Sequence, residues 1–190
     1  MPEIRIHGRG GQGTVLAAKI LAKALVEEGK YTMAIPAFGF ERRGAPVVAF
    51  LRYEDHEIRA VTNIYSPNII MCIDPSIATV VDIFEGISDH ATLVQASKKP
   101  LDQIVRPEAI ERVGLCDAVG IALDVFSKQI TNTIMLGAFA RTTGVVTLDS
   151  LKKGLSVTNF RDAGLEQNMI AIERGYNETT VYDLTKEAAA

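Results

Sequence analysis

Cysteine is scarce in this chain, and where it occurs it is isolated. Two thiols in 190 residues, Cys72 and Cys116, cannot supply the four thiolates of an iron–sulfur site or the ligand set of a zinc knuckle. Each sits inside an apolar run, Asn68-Ile69-Ile70-Met71-Cys72-Ile73-Asp74 and Val113-Gly114-Leu115-Cys116-Asp117, where a free Cys behaves as a small buried hydrophobe. Histidine is equally sparse. His7, His56 and His90 have no spacing that brings two to one metal, so structural or surface roles are expected. An excess of cations is also missing: 20 Lys and Arg against 23 Asp and Glu leave a net charge of -3, with no clustered positive surface for nucleic acid. No apolar run reaches the roughly 18 residues of a membrane-spanning helix. No secretory pattern precedes the first strand, which begins directly after Met1-Pro2, so a cytoplasmic protein is expected. Nor is there a G-x-S-x-G elbow, a P-loop lysine or an H-E-x-x-H pair, and the chain carries no self-contained catalytic constellation.

What is present is organised around Gly8-Arg9-Gly10-Gly11-Gln12-Gly13, which follows the apolar alternation Ile4, Ile6 and leads into a helical pattern. Gly8, Gly10 and Gly13 fit G-x-G-x-x-G, in which glycines permit a tight turn, close approach of a ligand, and close packing of helix on strand. The helix start offers unpaired N–H groups and a positive dipole end to an anion, and Arg9 could add a charge-assisted contact there. The plainer alternative is a sharp strand-to-helix turn. NAD is disfavoured, because the second strand candidate, residues 31–35, runs into Pro36-Ala37-Phe38 and the next acid is Glu41, so no acidic residue stands ready for the ribose.

Further along, Val15, Leu16, Ile20, Leu21, Ala24 and Leu25 keep helical spacing to Glu28, and Gly29 closes the helix. Residues 47–53 and 57–62 alternate around Glu54-Asp55-His56 and read as a β-hairpin. Residues 68–73 form a continuous apolar run, as a strand buried on both faces does, with Asp74-Pro75-Ser76 at its carboxyl end, where open α/β sheets bind ligands. A short helix is expected over 77–84 and strands over 91–95 and 112–119. Helices are expected over 131–141, 148–157 and 165–176, and a frayed tail over 186–190. The 47% hydrophobic content and this length suit one domain, residues 1–190, that buries about 70% of its unfolded surface. The expected fold is α/β, a Rossmann-like mostly parallel sheet with helices on both faces and an inserted β-hairpin.

A second stretch carries chemistry. In Phe38-Gly39-Phe40-Glu41-Arg42-Arg43-Gly44-Ala45-Pro46 the arginine forks suit a carboxylate or phosphate, and the two Phe residues suit a subunit interface; the bland alternative is a solvated charged loop.

With both stretches in view, the sequence resembles the gamma subunit of the 2-oxoacid:acceptor oxidoreductases, the pyruvate:ferredoxin oxidoreductase group. The matching parts are Ile4 through Gly13, Phe38 through Pro46, Asp74-Pro75, and Asn132 with Met135-Leu136-Gly137-Ala138. The resemblance implies an enzyme that oxidatively decarboxylates a 2-oxoacid, forms an acyl-CoA, and passes two electrons to ferredoxin or another acceptor. It also implies alpha, beta and delta-type partner subunits. In such a complex thiamine diphosphate with Mg and the 4Fe–4S clusters lie outside the gamma part, which is Rossmann-like and in some members lies near coenzyme A. By this resemblance the chain is no redox centre and binds no cofactor alone. Gly8, Arg9, Gly10, Gly11, Gln12, Gly13, Arg42 and Arg43 then face a partner subunit or the phosphates of coenzyme A. The 2-oxoacid stays open among pyruvate, 2-oxoglutarate, branched-chain, oxalate and aromatic acids. The alternatives are a free-standing nucleotide-binding Rossmann-like protein and a scaffold that binds no small molecule.

Overall fold

A computed structural model of the chain describes residues 2–37, 44–59, 62, 64–158, 160 and 164–185. The first strand, β1 (Glu3–Arg9), alternates strictly: Ile4 and Ile6 point into the main core, while Arg5 and His7 lie on the other face. Helix α1 (Thr14–Glu27) buries its Ala17, Ile20, Leu21, Ala24 and Leu25 stripe, and beyond Gly29 the Lys30 N–H returns to the Leu25 carbonyl. Then come β2 (Tyr31–Ala37), β3 (Pro46–Glu54), β4 (Ile69–Cys72), β5 (Ala91–Ala96) and β6 (Ile110–Cys116). Four helices follow, α2 (Ala118–Phe126), α3 (Asn132–Thr143), α4 (Leu148–Ser156) and α5 (Leu165–Glu178), and β7 (Thr180–Asp183) closes the order.

All seven strands join one sheet in the order β2-β3-β1-β4-β5-β6-β7. Strands β2, β1, β4, β5 and β6 point one way, and β3 and β7 run against them. The inserted hairpin is therefore present, and the expected strand 47–53 is its β3, but the partner of that strand is β2 in place of 57–62, of which residues 60 and 61 lie outside the described residues. Strand β3 finds partners on both sides, β1 and β2, so its edges are full when the chain reaches Asp55, and residues 57–59 leave the sheet. Pro36, which lacks an N–H, is tolerated because β2 is an edge strand.

The α-helices all gather on one face, where α1 to α5 bury Ile4, Ile6, Leu51, Met71 and Val94. The expected helical layers on both faces are thus one α-helical layer and one thin layer. On the thin side, among the described residues, Ile70, Leu93 and Val113 are covered by connecting loops and the 3-10 turn at Leu101–Gln103, and Cys72 by Ile77 of the 3-10 turn at Pro75–Thr79. The expected helix at 77–84 is only the turn at Pro75–Thr79: Asp74 accepts the Ser76 N–H to start it, and Asp82 accepts the Phe84 N–H to redirect the chain. Strand β6 ends at Cys116 rather than Val119, because the Asp117 side chain accepts the Gly120 N–H at 3.0 Å and so caps α2. Helix α3 is the centre of the helical layer, buried from Asn132 through Ala140. It meets α5 backbone to backbone: a Cβ on Gly137 would lie 2.1 Å from the Ile172 carbonyl oxygen, and one on Gly175 2.0 Å from that of Ile134. Among the described residues no helix is long and apolar enough to cross a membrane. The tail at 186–190 lies outside the described residues.

Candidate functional site at the switch point of the sheet

The chain leaves β1 toward β3 and β2 on one side, and from β4 onward the strands add on the other, so the order reverses between β1 and β4. Open α/β sheets bind ligands in the crevice at the carboxyl ends of such a pair. Here that crevice is walled by the glycine loop after β1 and by Asp74-Pro75-Ser76 after β4.

Gly13 caps α1 with φ +78°, a left-handed conformation that favours glycine, and no side chain caps the helix or places an acid in its first turn. Two of the glycines are dictated from beneath. A Cβ on Gly8 would lie 2.2 Å from Thr14 Oγ1, and one on Gly13 would lie 2.4 Å from Asn132 Nδ2 at the start of α3. Thr14 Oγ1 and Asn132 Oδ1 are buried without a hydrogen-bond partner among the described residues. The floor of the loop is thus polar as well as tight.

The two motifs singled out in the sequence meet here. Past the Arg9 and Pro46 pair that ends the β1–β3 ladder, the Gly10 N–H donates to the Ala45 carbonyl at 2.8 Å and the Gly44 N–H to the Gly10 carbonyl at 3.0 Å. These bonds stitch Gly44 and Ala45 to the glycine loop. Phe38, Phe40, Glu41, Arg42 and Arg43 themselves lie outside the described residues.

Arg9 is turned inward across the crevice. Its Nη1 donates to the Gly44 carbonyl at 3.0 Å, Nε and Nη2 reach Ser76 Oγ at 3.1 and 3.0 Å, and Nε stands 3.4 Å from Asp74 Oδ2. Gln12 accepts the Arg9 backbone N–H at 2.8 Å and donates to Asp74 Oδ2 at 2.7 Å. Burial alone would raise the Asp74 carboxyl, but hydrogen bonds from Ser76 and Gln12 and the Arg9 charge outweigh it and hold it below its ordinary range. Sequence reasoning places Asp74-Pro75-Ser76 at the ligand-binding end of its strand and matches Asp74-Pro75 to the family, but misses the bridging of Asp74 to Gln12, Arg9 and Ser76.

Behind the crevice, His7 is buried with both ring nitrogens unpartnered among the described residues, and burial, with the Arg5 charge beside it, pushes its pKa down to about 3. Arg5 donates to the Ile83 and Glu85 carbonyls at 2.9 and 2.7 Å. Both cysteines are free and buried; burial pushes the Cys72 thiol up to about 12 and that of Cys116 up to about 11. Neither is a ready thiolate, and among the described residues no group of His, Cys, Asp and Glu is arranged to hold a metal. His56 and His90 are exposed, far from the crevice in sequence and unlinked to it by any hydrogen bond among the described residues.

Residues 3–178 match the family model described as pyruvate ferredoxin/flavodoxin oxidoreductase. The NADH-dependent phenylglyoxylate dehydrogenase subunit gamma of Aromatoleum evansii is 59% identical over the whole of both chains. The pyruvate/ketoisovalerate oxidoreductases common subunit gamma of Thermococcus kodakarensis is 45% identical over 97% of this chain and 100% of its own. Among solved structures, the pyruvate oxidoreductase subunit of Thermotoga maritima superposes with a TM-score of 0.80 at 34% identity, covering 96% of this chain and 98% of that one. A free-standing nucleotide-binding protein is not favoured by any of these. By the family model and these full-length relatives, the chain belongs to the pyruvate ferredoxin/flavodoxin oxidoreductase family, as a gamma subunit of a 2-oxoacid oxidoreductase.

Proposed function

We propose that residues 1–190 act as one gamma-type domain in a complex that converts an aromatic 2-oxoacid and coenzyme A into an acyl-CoA, with coenzyme A met at the switch-point crevice. Atoms and electrons balance as 2-oxoacid anion plus coenzyme A giving acyl-CoA, carbon dioxide, two electrons and a proton. Thiamine diphosphate supplies the decarboxylation chemistry and 4Fe–4S clusters carry the electrons. The two buried, protonated thiols do not fit cluster ligation, so the clusters are assigned to alpha, beta and delta-type partners, where the family resemblance also puts thiamine diphosphate with its Mg. Because no acid closes β2 among the described residues, any NAD chemistry is assigned to a partner as well.

The part left to this chain is to bind and orient. The start of α1, uncapped by any side chain and free of acids in its first turn, presents N–H groups of the kind that hold a phosphate oxygen. Gly10, Gly11 and Gln12 let backbone approach the ligand, and Arg42 and Arg43, which directly precede in sequence the Gly44 bonded to Gly10, add positive charge.

The aromatic substrate rests on one observation, the 59% full-length identity to a subunit named for phenylglyoxylate, against 45% for one shared by pyruvate and ketoisovalerate enzymes. A gamma subunit common to two oxoacids also supports placing substrate choice on other chains. The test is a panel of 2-oxoacids on the anaerobically purified complex. Phenylglyoxylate, giving benzoyl-CoA, is expected to exceed pyruvate and 2-oxoglutarate by more than about tenfold in kcat/KM, since a phenyl group is far larger than the single methylene that separates substrates by tenfold or more. Preference for pyruvate overturns the aromatic reading.

A further inference from the structure

One carboxylate stands where three pieces of chain meet. Asp74 Oδ2 accepts Gln12 Nε2 at 2.7 Å and faces Arg9 Nε at 3.4 Å, while Oδ1 accepts the Ser76 backbone N–H at 2.9 Å. Arg9 passes the tie on to Gly44, and Gln12 passes it back to the Arg9 backbone. Apart from the β1–β4 ladder and the bond that prolongs it from the Ile73 N–H to the His7 carbonyl, the hydrogen bonds across the crevice among the described residues all run through Arg9 or Gln12. Gln12 closes on Asp74 by a hydrogen bond, and Arg9 closes on Ser76, whose backbone N–H Asp74 holds, with an ion pair to Asp74 itself.

We infer that Asp74 is a positioning residue, the anchor of a clasp that holds the glycine loop and the Gly44-Ala45 segment in one frame across the crevice. Its role toward coenzyme A rests on the functional reading above. Only a carboxylate serves all three partners. It has acceptor capacity on both oxygens, whereas an amide of the same shape has one oxygen and one NH2. If Asn at this position keeps Ser76 on its oxygen, its NH2 confronts the donors of Gln12 and Arg9; if it flips, Ser76 loses its partner. The pair of Arg9 and Asp74 is partly exposed, at 27% and 19%, so the clasp works through hydrogen-bond geometry more than through net Coulomb energy.

The experiment is Asp74→Asn in the assembled complex, read by hydrogen exchange and by kinetics. Peptides covering Gly10 to Gly13 and Gly44 to Ala45 are expected to exchange about tenfold faster, the effect of losing about one charge-assisted hydrogen bond, with α5 peptides unchanged. On the same variant KM for coenzyme A rises about five- to tenfold, while kcat at saturating coenzyme A and KM for the 2-oxoacid stay within about twofold, as for loss of binding without loss of chemistry. Faster exchange with an unchanged KM for coenzyme A supports the clasp and contradicts coenzyme A as its ligand. Unchanged exchange overturns the clasp whatever KM does. Should Asp74→Asn not assemble, Gln12→Glu, which turns a second carboxylate toward Asp74, must speed exchange in the same two peptides, and wild-type exchange there overturns the inference.

Discussion

A proton on His7 would find no hydrogen-bond partner among the described residues: the residue is 2% exposed, both ring nitrogens are unpaired, and the Arg5 charge opposes the proton more than the Asp82 charge favours it. Burial first and Arg5 second lower its pKa from 6.5 to about 3, so the unfolded chain takes up a proton that the folded chain refuses. The resulting stability is complete above pH 6.5 and is lost as pH falls from there toward 3, to a ceiling on the order of 4–5 kcal/mol. Asp74, held low by its hydrogen bonds and Arg9, acts in a more acidic window, its contribution fading as pH falls through and below the carboxylate range. We predict that His7→Gln, which does not titrate, flattens the acid side of the profile. Urea unfolding of the full chain at several pH values between 7 and 4 measures this; parallel profiles for the two proteins would contradict it. At this scale the sequence was legible for what and not for why. The spacing of Gly8, Gly10 and Gly13 marks the loop, but Thr14 and Asn132, which forbid a Cβ at two of those positions, become visible only when α1 and α3 come together beneath it.

Among the elements, the pairing of α3 with α5 organises the helical layer. Gly137 and Gly175 let the two backbones touch, and any side chain at either forces the helices apart against a fully buried α3. Gly175→Ala is predicted to cost about 1–3 kcal/mol, the usual range for overpacking, despite Ala's better helix propensity. Thermal unfolding reads this as a fall in Tm; an unchanged or higher Tm would mean that the helices separate freely. Elements with one strong period were readable, such as α1, α3 and the β4 run. Those that failed did so for definite reasons. Helix α2 begins Ala118-Val119-Gly120-Ile121, an apolar continuation of β6 whose break depends on the Asp117 cap. Strand β7 is only Thr180–Asp183 and forms because it pairs antiparallel with β6. The hairpin was placed one strand late because periodicity marks β3 as a strand without saying which neighbours fill its two edges.

For the whole molecule, the sheet order brings together what the sequence keeps apart. Reversal between β1 and β4 puts Gly8 to Gly13, Gly44 to Pro46 and Asp74 to Ser76 around one crevice, and bonds from Arg9 and Gly10 make them a single unit. Gly44 and Ala45 are bonded neighbours of Gly10, and the proposed function has Arg42 and Arg43, next to Gly44 in sequence, serve the same ligand as the glycine loop. The most direct test of that claim is the coenzyme A titration of the assembled complex carrying Arg42→Ala and Arg43→Ala. The account predicts intact subunit stoichiometry, kcat at saturating coenzyme A within about twofold, and a KM for coenzyme A raised by about tenfold or more, as expected for removing charged hydrogen bonds made to bound ligand. An intact complex with an unchanged KM for coenzyme A would contradict it.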